Sequence, residues 1–281
     1  MINRTFAGSS TYVLDDELAR IVNISMVLEM PLLLKGEPGT GKTMLAHAVS
    51  ESLGMRLIVL NVKSSMKLVD ALYQYDTLTR LNDSRFGDSS RDVSNIDEYI
   101  RMGRIGQAFT SDERCVLLID EIDKADSDFQ DDMLDVLDQM QFDIIETDRT
   151  VTARTRPVII ITSNAKKDLS DPFLGRCNFH HIAFPDPDMM RSIVGAHFPD
   201  ISRTLADDAI GLFYELRSID AIEKKPATRE LINWIRALLA DPDFSGGERL
   251  GREIPYLGVL FKKSEDYRKS LGFVKKRGLF N

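Results

Sequence analysis

Gly36-Glu37-Pro38-Gly39-Thr40-Gly41-Lys42-Thr43 decides the fold of this chain. The stretch fits the spacing G-x-x-x-x-G-K-[ST], whose glycines let the backbone curl until successive N–H groups point inward at phosphate oxygens. Lys42 supplies a point charge for the β and γ phosphates, and the Thr43 hydroxyl is a ligand suited to Mg2+. The helix that follows adds the dipole of its N-terminus. The setting strengthens the pattern. Pro31-Leu32-Leu33-Leu34 precedes it as a buried strand, and residues 43–53 follow as a helix with Leu45, Ala48, Val49 and Leu53 on its apolar side. Residues 36–44, from Gly36 through Met44, are therefore expected to surround a nucleotide.

Outward from this turn, short apolar runs at 31–35, 56–62, 115–120, 157–162 and 179–184 alternate with helical segments. That is the pattern of an α/β core with a parallel sheet flanked by helices, and continuous apolar runs suit strands buried on both faces. Such sheets gather ligand chemistry at the carboxyl ends of their strands. Val116-Leu117-Leu118-Ile119-Asp120-Glu121 delivers an acidic pair there. Asp120 is expected to hold Mg2+, mostly through water, and Glu121 to polarise the attacking water. Ile161-Thr162-Ser163-Asn164 closes another strand with a polar tip, from which Asn164 can orient the water or the γ-phosphate.

Phe184-Pro185-Asp186-Pro187 breaks the alternation, because each proline removes a donor and disfavours helix before it. Beyond it the period turns helical. Leu205, Ala209, Phe213 and Leu216 form one stripe, with Thr204 and Asp207 expected to cap its start; Leu231, Trp234, Ile235 and Leu238 form a second. Residues 1–185 thus read as the α/β core and 186–281 as a smaller, mainly helical domain. Two insertions interrupt the core. Residues 82–98 (NDSRFGDSSRDVSNIDE) lack apolar periodicity and read as a mobile loop. Residues 142–154 read as a hairpin around Thr147-Asp148-Arg149, either a plain surface hairpin or a moving part that grips a substrate. The helix 127–140 is apolar on one side and carries Asp128, Asp131, Asp135 and Asp138 on the other, a solvated or interface face.

Composition excludes several classes. The 281 residues carry 44 acidic against 36 basic side chains, a net charge of −8, which makes nucleic acid an unlikely partner. Residues 262–277 are locally basic and read as a solvated tail, the alternative being a docking site for an acidic partner. Residues 1–10 lack the apolar core of a secretory signal, and no apolar run approaches the roughly 18–20 residues of a membrane span. Cys115 and Cys177 form neither a metal pair nor a disulfide framework, which suits a cytoplasmic location. His180 and His181, adjacent on a strand, point to opposite faces, so no metal besides Mg2+ is expected.

In this order the pieces resemble the AAA+ superfamily of P-loop NTPases, an α/β core with a helical lid. Residues 36–43 match its Walker A, 116–121 its Walker B and 162–164 its sensor 1. Asp171-Pro172-Phe173-Leu174-Gly175-Arg176-Cys177 is similar to the stretch bearing the arginine finger, with Arg176 at that position. Pro226-Ala227-Thr228-Arg229-Glu230-Leu231 is similar to the sensor 2 helix, with Arg229 as the sensor. Within the superfamily the chain resembles the MoxR family, closest to the branch associated with carbon monoxide dehydrogenase maturation. Ser65-Met66-Lys67, Leu72-Tyr73-Gln74-Tyr75-Asp76, Tyr99-Ile100-Arg101-Met102-Gly103, DEIDKA at 120–125 and CNFHHIAFPDP at 177–187 carry the likeness. Members of this branch often show two adjacent arginines where this chain has Gly175-Arg176, so the finger implied is Arg176 alone. The resemblance implies an ATP-hydrolysing homo-oligomer, a hexameric ring, with ATP and Mg2+ as cofactors. It also implies a von Willebrand factor A (VWA) domain partner and a client enzyme that is remodelled or receives metal. A DNA-linked motor, as in the related restriction-type GTPases, and a non-hydrolysing ATP switch are the alternatives. The acidic balance opposes the first; Glu121, Asn164 and Arg176 oppose the second.

Overall fold

The computed structural model describes residues 5–9, 12–87, 91–164, 169–242, 244, 250 and 254–276. These fall into two compact units. The first takes the described residues within Met1–Ser9, Leu14–Gly36 and Gly41–Ile182; the second takes those within Ser10–Val13, Glu37–Thr40 and Ala183–Asn281.

The first unit is an α/β layer. Helix α1 (Asp16–Leu28) leads into β1 (Leu32–Lys35), α2 (Lys42–Leu53), β2 (Leu57–Asn61), α3 (Leu68–Leu72), β3 (Tyr73–Tyr75), α4 (Thr77–Phe86), β4 (Ile100–Met102) and α5 (Arg104–Phe109). Then come β5 (Val116–Asp120), α6 (Ser127–Gln139), β6 (Gln141–Ile144), β7 (Arg149–Thr152), β8 (Val158–Ser163), α7 (Asp171–Gly175) and β9 (Asn178–His181). The main sheet has the order β2-β5-β8-β1-β9, and every pairing is parallel. Because the strands run the same way, Asn61 lies beside Asp120 and Lys35 beside Ser163 at one common edge. The inner strands β5 and β8 are apolar and buried up to their polar carboxyl ends at Asp120 and at Thr162 and Ser163, as a sheet covered on both faces requires. Strand β9, at the sheet's margin, is only half-buried, and Phe179 is exposed.

The expected hairpin forms as β6 and β7, paired antiparallel from Gln141↔Thr152 to Ile144↔Arg149. Its Phe142 stacks on Tyr73 at 6.2 Å between ring centroids, and the Tyr73 hydroxyl accepts the Ile145 N–H at 3.1 Å. The expected mobile loop is corrected in part, since α4 continues to Phe86. Asp76 caps its start by accepting the Thr79 N–H, Gly87 closes it in the left-handed region (φ 62°), and Asp83 accepts from the Tyr99 hydroxyl. Residues 96–99 add a 3₁₀ turn. No side chain of α4 is buried, which is why apolar periodicity could not reveal it.

The second unit is helical: α8 (Pro187–His197), α9 (Arg203–Arg217), α10 (Thr228–Ala240), α11 (Leu257–Leu260) and α12 (Ser264–Lys276). Both expected stripes are buried in its core, where Trp234 donates Nε1–H to the Pro255 carbonyl at 2.7 Å. Two expectations change. The cap of α9 is Ser202, whose hydroxyl accepts the Leu205 N–H, while Asp207 pairs with Arg191 at 2.7 Å and Thr204 lies inside the first turn. The basic stretch is not a plain solvated tail. It folds as α12, with Asp266 buried and accepting the Glu223 and Lys224 amides at 3.0 and 3.1 Å. Residues 1–4 and 10 of the N-terminal stretch, 88–90 of the predicted loop and Arg277 of the basic stretch lie outside the described residues.

Candidate functional site

The phosphate loop needs left-handed backbone at two places. Gly39 has φ 83° and Gly41 φ 92°, a region that costs a β-carbon-bearing residue strain. At Gly39 there is a second reason, because a Cβ there would collide with the Cβ of Ala227 within the second unit. Gly41 caps α2, so its curl sets the direction in which the helix opens. Lys42, only 6% exposed, folds back so that its Nζ donates to the Gly36 carbonyl at 2.9 Å. Met44 is exposed on the first turn of α2.

In the first unit, the strand ends converge on one carboxylate. Asp120 Oδ1, at the end of β5, accepts the Thr43 hydroxyl at 2.9 Å and the Thr162 hydroxyl at 2.7 Å. Thr162 in turn accepts the Glu121 N–H at 2.9 Å. That bond holds Glu121 in the left-handed region, φ 61° and ψ 51°, where a non-glycine residue costs on the order of 1–3 kcal/mol. The turn swings the Glu121 carboxylate out of the strand line, where its Oε1 accepts from Asn164 Nδ2 at 2.9 Å. Its Oε2 is ion-paired with Lys124. The hydrogen bond and the charge of Glu121 raise the Lys124 pKa, with Asp120 and Asp123 adding to the pull. Buried Asp123 accepts the Asn164 N–H at 3.1 Å and so fixes the base of that side chain.

Thr43, Asp120, Glu121 and Asn164 are thus brought into one bonded cluster, with Lys42 beside Thr43 in the chain. Thr162, Asp123 and Lys124 belong to the cluster too, and sequence reasoning placed them within motifs without giving any of them a role of its own. A threonine closing an apolar strand reads as an ordinary β-former, and its hydroxyl gains significance only once β5 and β8 are known to be neighbours. Two expected residues are not among the cluster's bonded members. Arg176, which closes α7, is paired on its own protomer with Asp138 at 2.6 Å and Asp135 at 3.7 Å, both on the acidic side of α6. Arg229 is exposed on the first turn of α10 in the second unit. In that unit also lie Glu37, Pro38, Gly39 and Thr40, with the Thr40 hydroxyl donating to the Glu37 carbonyl at 3.0 Å.

A family model, ATPase family associated with various cellular activities (AAA), matches residues 32–185, more than half of the chain. The chain belongs to the AAA family. No curated protein matches it. The matched span of this AAA protein runs from the first residue of β1 to the break after β9 and contains the whole bonded cluster. An ATPase-type activity follows from that membership. Among the described residues, no three His, Cys, Asp or Glu side chains are grouped to hold a metal ion, and no helix is long and apolar enough to cross a membrane. The Thr43–Asp120 pair still suits a hard cation. Its donors are a hydroxyl and a carboxylate oxygen, and an Mg2+ site completed by substrate phosphates needs only one or two protein ligands.

Proposed function

We propose that this AAA protein hydrolyses Mg-ATP to remodel or mature a client enzyme, in the manner of the MoxR family. The bonded sequence Thr43–Asp120–Thr162–Glu121–Asn164 carries the reading, because a protein that only bound nucleotide would have no use for an aimed carboxylate. Within residues 36–44 the phosphate-loop amides beyond Pro38, which has no N–H, cradle the phosphates, and Lys42 exchanges the Gly36 carbonyl for them. Thr43 and Asp120 hold Mg2+, which when bound neutralises charge developing on the transferred phosphate. Glu121 then accepts the proton of the attacking water, with Asn164 keeping its carboxylate aimed. Lys124 occupies the other oxygen in the resting arrangement. That pair is partly exposed, so surrendering it to water costs about 1 kcal/mol or less.

Arg176 is the proposed arginine finger, acting on the site of a neighbouring copy in a hexameric ring, and Arg229 is the proposed sensor 2. Leaving Asp138 and Asp135 costs Arg176 little, since an exposed ion pair contributes about 1 kcal/mol or less. Residues 1–185 act as the nucleotide-binding core and 186–281 as the lid. The resemblance to the branch associated with carbon monoxide dehydrogenase maturation supports a VWA-domain partner, a cytoplasmic setting and a client that receives metal.

The test is ATP turnover per subunit across protein concentration, beside Glu121→Gln and Arg176→Ala. The expected result is a rate that climbs with concentration and is lost in both variants. Turnover undiminished by Glu121→Gln would sink the mechanism, and full activity of Arg176→Ala in an assembled ring would remove the finger.

A further inference from the structure

The phosphate loop carries a contact that its sequence pattern does not explain. Glu37 occupies an unrestricted position of G-x-x-x-x-G-K-[ST], yet its Oε2 pairs with Arg217 Nη2 at 3.0 Å. Arg217 is the last residue of α9, and its side chain is only 11% exposed. Its guanidinium makes two further contacts. Nη1 donates to the Pro226 carbonyl, and the plane lies over the Phe184 ring with Cζ 3.4 Å from the centroid. Phe184 is braced in turn by Phe213, at 6.2 Å between centroids.

One side chain therefore ties together three segments of the second unit: the phosphate-loop stretch Glu37–Thr40, the proline-bracketed chain at Phe184 and the entry to α10. Pro226 precedes Ala227, and Ala227 is the residue whose Cβ fills the space over Gly39. The same four-residue stretch of loop is thus held twice, by charge at Glu37 and by close packing at Gly39. A guanidinium suits the charged contact, because its planar fork can bond a carboxylate and a carbonyl while its face stacks on an aromatic ring. A lysine can satisfy one of these at a time.

We propose that Arg217 is a positioning residue of the nucleotide site, holding Glu37–Thr40 in the curl that phosphate binding needs. The inference rests on the ATPase reading and adds a residue outside every motif of that reading. Its consequence is a division of labour. Arg217 acts on nucleotide affinity, through loop shape, and leaves the Glu121 chemistry alone.

The experiment is titration of the full chain with Mg2+ and a non-hydrolysable ATP analogue, followed by kcat and KM for ATP. The variants are Arg217→Ala, Arg217→Lys, Glu37→Gln and the double substitution. Arg217→Ala should weaken binding about tenfold and raise KM alike, with kcat at saturation changed less than about threefold. Arg217→Lys should recover part of the loss. Glu37→Gln supplies the control for folding, since that side chain is 62% exposed and glutamine keeps its shape while removing its charge. It should weaken binding several-fold, and the double substitution should be no worse than Arg217→Ala. Full additivity of the two substitutions, a Glu37→Gln affinity equal to that of the unsubstituted chain, or a loss confined to kcat would overturn the proposal. Absence of binding by the unsubstituted chain would instead sink the ATPase reading, and this inference with it.

Discussion

The two units bury polar groups for different ends. Among the described residues of the first, Lys42, Asp123, Thr162 and Ser163 are buried where the strand ends gather, and three of them are bonded within the candidate site or beside it. Ser25 and Gln130, its other buried polar residues, satisfy backbone carbonyls inside the layer. Among the described residues of the second unit the buried polar ones are Thr40, Asp266 and Ser270. Asp266 bonds two backbone amides outside α12 and so holds that helix in place, Ser270 bonds the Tyr267 carbonyl within the helix, and Thr40 bonds the Glu37 carbonyl within the phosphate loop. A buried polar group is costly unless paired, so its partner shows what it is retained for. Thr162, bonded to the Asp120 carboxylate and the Glu121 amide, is retained for the site; Asp266, bonded to the Glu223 and Lys224 amides, is retained for the fold.

The largest effects should break the comparison at the first unit. Glu121→Gln keeps the shape and removes the proposed base, so turnover should fall about 10²–10⁴-fold while ATP stays bound. Lys42→Ala removes the charge aimed at phosphate and should weaken ATP binding by about tenfold or more, read by calorimetry. If the first variant lost affinity with its rate intact, or the second lost rate with its affinity intact, the proposed roles would have to be exchanged. Thr162→Val sharpens the same point, because valine matches threonine in shape but leaves the Glu121 amide without its acceptor. The orphaned amide should cost about 1–3 kcal/mol in unfolding experiments, and turnover should drop as the left-handed turn at Glu121 relaxes. A Thr162→Val protein with unchanged rate would show that the turn does not need this hydroxyl.

Much of the first unit was legible in the sequence because its signals are covalent spacing and apolar continuity. The phosphate loop, the inner strands, the acidic pair and Asn164 all advertise themselves that way. What escaped depends on neighbours that only the sheet order supplies. Thr162 gains its role from lying against β5, Asp123 from the Asn164 amide, and Lys124 from a left-handed turn that folds Glu121 back over it. Helix α4 escaped because nothing on it is buried, and Ser202 because two other capping residues lie within five positions of it. The locally basic stretch 262–277 misled through composition. Its positive charge hid one aspartate, and that aspartate is the group that docks the helix.

Asp266 offers the test for the second unit. Burial opposes its ionisation, yet the Glu223 and Lys224 amides, with Lys269 and Lys263 beside them, outweigh burial and hold its pKa below the usual carboxylate value. A depressed folded pKa stabilises the fold above the unfolded value and is lost as pH falls through the folded one. Docking of α12 should therefore be intact at neutral pH and loosen only in acid, below the ordinary range of aspartate. Asp266→Ala should remove that acid limb and speed hydrogen exchange of the Glu223 and Lys224 amides at pH 7, leaving exchange along β5 and β8 unchanged. Equal exchange of both amides in the variant and the unsubstituted chain would remove Asp266 as the anchor.

The smallest effect concerns the thiols, which occupy the first unit's core as apolar groups and stand apart from its polar cluster. Burial raises the Cys115 thiol above its usual pKa and pushes Cys177 to about 12, with Asp138 adding to the shift at Cys177. Only the thiolate is nucleophilic, so at pH 8 both should react with iodoacetamide far more slowly than an exposed thiol. Rates should recover in denaturant, where the barrier of burial is gone. The sign of the linkage is opposite to that of Asp266. A thiol kept protonated in the fold favours unfolding as pH climbs above the unfolded value, so stability should fall gently from about pH 8.5 upward. Cys177→Ala and Cys177→Ser both remove the titrating thiol and should flatten its part of that limb, the first at the expense of a small cavity and the second of a buried hydroxyl that needs a partner, neither of which depends on pH. Rapid alkylation of Cys177 in the folded protein would show that the α6–α7 packing around it opens, and would take Arg176, one residue away, out of its fixed pairing with Asp138.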